Sequence, residues 1–176
     1  MTPLLILQDA DIFPDAVRLE KFSEDAKVRA TVKVALFDDD GKIALVGTRY
    51  WLLPGGGVEE GETREEAVQR ECLEEVGCAV QDIIEKAVTD EYRARRTKKD
   101  KRQITYFYTA KLKGKKGTPT TTQEDEQGIK VDWRPLGDAL NLLRSEKESI
   151  PFESYNSCFN VRTHLAFLES LAAEII

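Results

Sequence analysis

Apolar and polar positions along this chain change period several times, and each change marks an element. From residue 28 to 37, "VRATVKVALF", the two classes roughly alternate, which is the pattern of a strand with one buried face. Asp40 and Gly41 form a hairpin-turn pair, and residues 43–49 read as the return strand. A glycine-rich loop, "WLLPGGGVEEGE", follows. Thr63, with Glu66 three residues on, then makes a capping box and predicts a helix running to Val76 and stopped by Gly77. Residues 78–93 and 103–112 are strand-like, the first with Ile83, Ile84 and Val88 as core candidates, the second rich in β-formers. "IKVDWRPL" predicts a short strand and "PLGDALNLLRSE" a helix. Val161, Leu165, Leu168, Ala172 and Ile175 recur at helical spacing, so residues 156–175 form an amphipathic helix. Residues 1–27 read as an arm or as short strands. Strands mixed with helices in this order give an α/β layer fold.

Two segments between these elements are polar. Residues 93–102, "RARRTKKDKR", make a basic loop, either a solvated hairpin tip or a lid that meets phosphates. Residues 113–128 make a long loop ending in the acidic "QEDEQG", of a length that is often functional or mobile.

A chain of 176 residues fits one domain, 1–176, with a real core. Its net charge of −6 argues against general nucleic-acid binding, for which a basic surface is the usual footprint. Cys72, Cys78 and Cys158 have neither the number nor the spacing of a disulfide framework or a zinc cage, so a reducing compartment is expected. No apolar run approaches a membrane span, and "MTPLLILQDADIF" lacks the form of a signal peptide. A cytoplasmic protein with no membrane partner follows as the expectation.

The unusual stretch is "ETREEAVQRECLEE", residues 62–75, with six glutamates among its fourteen residues. On a helix of about 100° per residue, Glu71, Glu74 and Glu75 fall within roughly one 100° arc. Val68, Cys72, Leu73 and Val76 take another arc, the expected core face, and the small Ala67 leaves room beside the carboxylates. Each like-charged pair at this spacing costs an isolated helix about 0.2–0.5 kcal/mol. A divalent cation would reverse that sign, and magnesium, which takes oxygen ligands and shares phosphates and waters, suits such a face. The three glycines ahead of the helix allow close approach of a phosphate, while the acidic helix start favours a metal-bridged one.

These residues match a known pattern. Gly56, Glu62, Arg70, Glu71, Glu74, Glu75 and Gly77 fill every fixed polar and glycine position of the box G-x5-E-x7-R-E-U-x-E-E-x-G-U, where U is a bulky aliphatic residue. The chain therefore resembles the Nudix hydrolases (the MutT-like family). Cys72 and Cys78 stand at two aliphatic positions, where a small buried hydrophobe serves equally. The resemblance implies an α/β/α sandwich with a mixed sheet, the box forming a loop–helix–loop. It implies hydrolysis of a nucleoside diphosphate linked to another group, with Mg2+ or Mn2+, a nucleoside triphosphate being the default substrate. A non-catalytic nucleotide sensor is the rival, and nucleotide sugars, dinucleoside polyphosphates and RNA 5′ ends are the other substrates. Glu71, Glu74 and Glu75 would be metal ligands and catalytic, joined by the Gly55 carbonyl and, in the downstream acidic loop, Glu126. Arg70 would orient a glutamate. Gly56 and Gly57 would meet substrate, as would Arg95 in the basic loop. Trp51 would either stack on a nucleobase or pack in the core. His164 reads as structural or surface, and many relatives form homodimers.

Overall fold

The computed structural model describes residues 1–21, 26–94, 101–121 and 128–175. Six strands make one mixed sheet: β1 (Leu5–Gln8), β2 (Lys27–Phe37), β3 (Ile43–Gly47), β4 (Ala79–Arg93), β5 (Lys101–Lys113) and β6 (Lys130–Arg134), in the spatial order β1-β4-β5-β2-β3-β6. The β1–β4 and β2–β5 pairs are parallel and the other three antiparallel. The helices are α1 (Arg64–Glu71), prolonged by a π-helical turn (Cys72–Val76), α2 (Leu136–Ser149) and α3 (Tyr155–Ile175).

Strand alternation decides which face carries which helices. Val32, Val34 and Leu36 of β2 and Tyr108, Ala110 and Leu112 of β5 pack with Val68, Cys72 and Val76 from α1 and its extension. On the opposite face Ala35 and Phe107 pack with Leu140 and Leu143 of α2 and with Phe159, Phe167 and Leu168 of α3. The result is an α/β/α sandwich. Of the two readings of the N-terminal segment, the short strand is found: β1 runs parallel to β4, with Leu5 opposite Thr89.

Three expectations are corrected. Ile84 is exposed, because β4 changes register between Gln81 and Ile84 and again between Glu85 and Ala87, which turns that side chain outward. Arg93 and Arg102 are not loop residues; they end β4 and lie in β5. The first half of the long polar loop is tied down. Thr120 and Thr121 N–H groups donate to the Glu74 carbonyl, and Lys116 binds Asp38 and lies over the Trp133 ring.

Candidate functional site

The glycine loop lies along β2. Val34 N–H donates to the Pro54 carbonyl and Val32 N–H to the Gly56 carbonyl, at 3.0 and 2.9 Å. Gly55 sits so close that a Cβ would strike the Val32 carbonyl, and its φ of +129° suits glycine. A Cβ on Gly56 would strike the Glu71 carboxylate instead.

Helix α1 starts as its sequence directs. Thr63 Oγ1 accepts from Glu66 N–H, and the Glu66 carboxylate accepts from Thr63 N–H at 2.8 Å. Its end departs from a regular α-helix. The π turn closes on Gly77, whose φ is +72° and whose N–H donates to the Cys72 and Leu73 carbonyls. A π turn advances less per residue than an α turn. Leu73, placed on the core face by a regular wheel, is therefore exposed, while Glu75 is 93% shielded at 7% exposure. Ala67 does not border open space; it is fully buried under the sheet, because the arc it shares with Glu71 faces protein.

Arg70 organises the glutamates. Its Nε and Nη2 donate to the two oxygens of Glu62 at 2.8 and 3.0 Å, and Nη2 also donates to the Gly57 carbonyl. Its Nη1 donates to Glu71 at 2.7 Å and to Glu74 at 3.2 Å. The guanidinium holds Glu62 below the usual carboxylate range. Glu71 goes the other way: burial pushes its carboxyl up, against the pull of Arg70 and Lys33. Glu75 Oε2 accepts the Gly55 N–H at 2.6 Å.

A polar cavity of about 500 Å³ opens between this loop and α3, and Gly55, Gly56, Gly57, Arg70, Glu71 and Glu75 line one wall. Its floor is formed by Arg29, Thr31 and Lys33 of β2, Gln103 and Thr105 of β5, and Arg93 of β4. Asn156, Asn160 and His164, spaced four residues apart on one face of α3, make the other wall. A second cavity of about 500 Å³, more apolar in lining, holds Tyr50, Leu52 and Ile129, and the two meet at Lys33, Glu75 and Asn156.

The floor is where sequence reading fell short. Arg29 pairs in register with Gln103, which pairs with Glu91; Thr31 pairs with Thr105, which pairs with Thr89. Two cross-strand rows on the α3 face are thus polar where a core would be apolar. The signal lies in "RATVK": residues 29, 31 and 33 share a face and all are polar. Arg93 and Glu91 form a buried ion pair, and Arg93 also donates to the Oδ1 atoms of Asn156 and Asn160 at 3.1 and 2.9 Å. His164 Nδ1 accepts the Leu53 N–H at 3.1 Å, which puts the ring proton on Nε2. Burial, with Lys33 and Arg93 nearby, holds its pKa well below the ordinary value.

The remaining candidates lie elsewhere. Trp51 packs against the core and its N–H donates to Glu146, so it lines neither cavity. Glu74 stays on Arg70, outside both cavities. Arg95 and Glu126 lie outside the described residues.

A family model described as the NUDIX domain matches residues 27–154. The chain belongs to the Nudix family. Among curated relatives, an RNA pyrophosphohydrolase of Wolbachia pipientis is 42% identical over 67 residues, 35% of this chain and 41% of that one. An RNA pyrophosphohydrolase of Aeromonas hydrophila is 36% identical over 58 residues, 31% of this chain and 33% of that one. The chain thus spans about two fifths or less of these relatives' length. Among solved structures, a MutT Nudix hydrolase of Burkholderia pseudomallei is 25% identical with a TM-score of 0.52, covering 63% of this chain and 85% of that one. The MutT protein of Bacillus halodurans is 24% identical with a TM-score of 0.51, covering 65% and 72%. These likenesses establish the Nudix fold.

Among the described residues, no three acidic, His or Cys side chains converge as a ready-made metal cage. The donor set nonetheless fits a hard divalent ion. Glu71 and Glu75 are two buried carboxylates set beside Gly55, Gly56 leaves the space Glu71 needs, and magnesium asks for only one or two carboxylates when phosphate and water complete its shell.

Proposed function

We propose that this Nudix chain hydrolyses a diphosphate linkage in a nucleoside diphosphate derivative, of the nucleoside triphosphate type, with magnesium or manganese. The observation that carries this reading is the pair of carboxylates, Glu71 at 3% and Glu75 at 7% exposure, lining one cavity with the glycine loop. Two carboxylates taken out of water cost stability even with Arg70 on Glu71 and the Gly55 N–H on Glu75, and a cation with its phosphate would offset that cost.

Glu71, Glu75 and the Gly55 carbonyl would hold the ion, with Glu74 kept beside them on Arg70. The chemistry supplied by such an ion when bound is neutralisation of the diphosphate and a lowered pKa for a water. Glu71 takes the proton of the attacking water on a carboxylate oxygen. The water oxygen bonds to phosphorus while the bond from that phosphorus to the bridging oxygen breaks. Two phosphate-bearing products leave, one carrying the nucleoside. Lys33, at the junction of the two cavities, and Arg29, on the floor of the first, supply positive charge for the non-bridging oxygens. Arg70 is a positioning residue, since its donors are spent on Glu62, Glu71, Glu74 and the Gly57 carbonyl.

The names of the curated relatives favour a second substrate, the triphosphate at an RNA 5′ end, which presents the same bond with a longer chain behind it. Phosphate and pyrophosphate release should be screened with Mg2+ across nucleoside triphosphates, nucleotide sugars, dinucleoside polyphosphates and triphosphorylated RNA, with Glu75→Gln as the blank. Release by the wild type alone supports the reading. Release from no substrate, with nucleotide binding intact, makes the chain a sensor.

The same reading takes residues 1–176 as one domain, supported by a single sheet that joins β1 to the rest. It places the protein in the cytoplasm, supported by three free, buried cysteines. No helix among the described residues is long and apolar enough to cross a membrane. Sedimentation decides between monomer and homodimer.

A further inference from the structure

Among the described residues, Lys33 is the one lysine that lines either of the two cavities. Its Nζ donates to the Gly55 carbonyl and, at 3.3 Å, to the Leu53 carbonyl. The loop's own pairing explains why these two oxygens are offered. Pro54 and Gly56 turn their carbonyls to β2, where Val34 and Val32 N–H groups meet them. In an extended segment the intervening carbonyls point the other way, and Lys33 answers both. Gly55 is also the residue whose N–H holds Glu75. The positive charge of Lys33 is felt at Glu71 and at His164. The ammonium thus sits at the Gly55 carbonyl, the oxygen proposed for a divalent ion.

We propose that Lys33 and a divalent cation are alternative occupants of the Gly55 carbonyl, so that metal binding releases the Lys33 ammonium onto the phosphates of the substrate. This inference rests on the reading of the cleft as a divalent-metal site. An ammonium and a divalent ion on one oxygen repel strongly at low dielectric. Lysine is suited to yield, because its compact charge rides on a flexible four-carbon stem. Lys33 lines both cavities at their junction, so a small swing of that stem keeps it within the substrate space. While no metal is bound, the same ammonium offsets part of the charge of the buried glutamates. Metal and substrate phosphate would then bind cooperatively: the metal frees the cation that the phosphate needs.

Lys33→Met keeps the stem length and removes the charge. Calorimetry of Mn2+ binding to nucleotide-free protein should show about tenfold tighter binding by Lys33→Met than by the wild type, because the resident competitor is gone. Inorganic pyrophosphate, titrated in saturating Mg2+, should bind the variant about tenfold more weakly. On the wild type, mass-spectrometric labelling with an amine-reactive reagent should show Lys33 shielded without metal, more reactive with Mg2+, and shielded again when pyrophosphate is added. Equal or weaker Mn2+ binding by a folded Lys33→Met overturns the proposal, as does Lys33 labelling that ignores Mg2+. The labelling decides alone if the variant does not fold. Failure of both proteins to bind Mn2+ overturns the metal site itself, and the Lys33 exchange with it.

Discussion

The Glu71 carboxylate occupies the space that a side chain on Gly56 would fill. The loop and the helix are therefore fitted to each other at that point, and glycine is required there for room rather than for an unusual φ, since Gly56 is not among the positive-φ glycines. Gly56→Ala should push the carboxylate away from the cavity. The displaced atoms end a flexible side chain, so the fold should persist, with a thermal midpoint within a few degrees of wild type. Mn2+ affinity and kcat/KM should each fall at least about tenfold, an effect of a size expected when a positioned catalytic group moves by about 1 Å. Unchanged affinity would mean that Glu71 does not need that space.

Arg70 makes its contacts through a planar fork. Lysine can supply neither the two-pronged bond to Glu62 nor the simultaneous reach to Glu71 and the Gly57 carbonyl. Arg70→Lys should lower kcat/KM and move acid unfolding to slightly higher pH, because Glu62 loses part of the bond that holds its carboxyl down. Arg70→Ala should in addition cost about 1–3 kcal/mol of stability by urea titration, because Glu71 loses a charged hydrogen bond inside the protein. Wild-type kinetics in Arg70→Lys would contradict the positioning role.

His164 gives stability a pH dependence of known sign. Its imidazole is held neutral in the folded protein by burial, with a pKa well below 6.5. The unfolded chain takes up that proton below about pH 6.5 and the folded chain does not. This contribution is fully present above pH 6.5 and is lost as pH falls below it toward the folded value, by up to about 1.4 kcal/mol per pH unit. His164→Asn offers Oδ1 to the Leu53 N–H without a titrating ring. Urea midpoints followed from pH 7.5 to 5 should fall less steeply in the variant than in wild type. Parallel curves would show that the ring is not held neutral.

Glu91 and Arg93 are both almost fully buried, and burial pushes the Glu91 carboxyl up while Arg93 and Thr105 pull it down. Arg93→Met should cost about 3–5 kcal/mol, because it strands the Glu91 carboxylate inside the protein. Glu91→Gln combined with Arg93→Met should recover much of that loss, measured by denaturant titration. A double variant as unstable as the single one would place the cost in packing against Phe159 rather than in charge.

Local sequence was enough for the parts of the site that local chemistry determines. Thr63 and Glu66 announce the start of α1 and Gly77 its end, and both are found where the spacing put them. The clustering of Glu71 and Glu75 followed from helical spacing alone. The last turn did not, because a π turn depends on how Leu73, Glu74 and Gly77 meet the loop around Thr118 and Thr120, contacts far apart in the chain. That one change moved Leu73 out and left Glu74 on Arg70. The floor was missed for a related reason: Arg29, Gln103 and Glu91 are unremarkable singly and become a polar row only once three strands are in register. Trp51, beside the glycine loop, had two readings, base stacking and core packing, and its backbone bond to Glu146 sets it against the core.

In the proposed function Glu71 and Glu75 serve a metal-dependent hydrolysis. Glu75→Gln removes one charge and keeps the acceptor for the Gly55 N–H. Release of phosphate or pyrophosphate from nucleoside triphosphates should be measured at increasing Mg2+ for the wild type and this variant, alongside their thermal midpoints. Turnover should depend on Mg2+ and fall at least about 100-fold in Glu75→Gln, a loss typical of one removed electrostatic group, with the midpoint little changed. Turnover by Glu75→Gln equal to wild type at saturating Mg2+ would contradict that role.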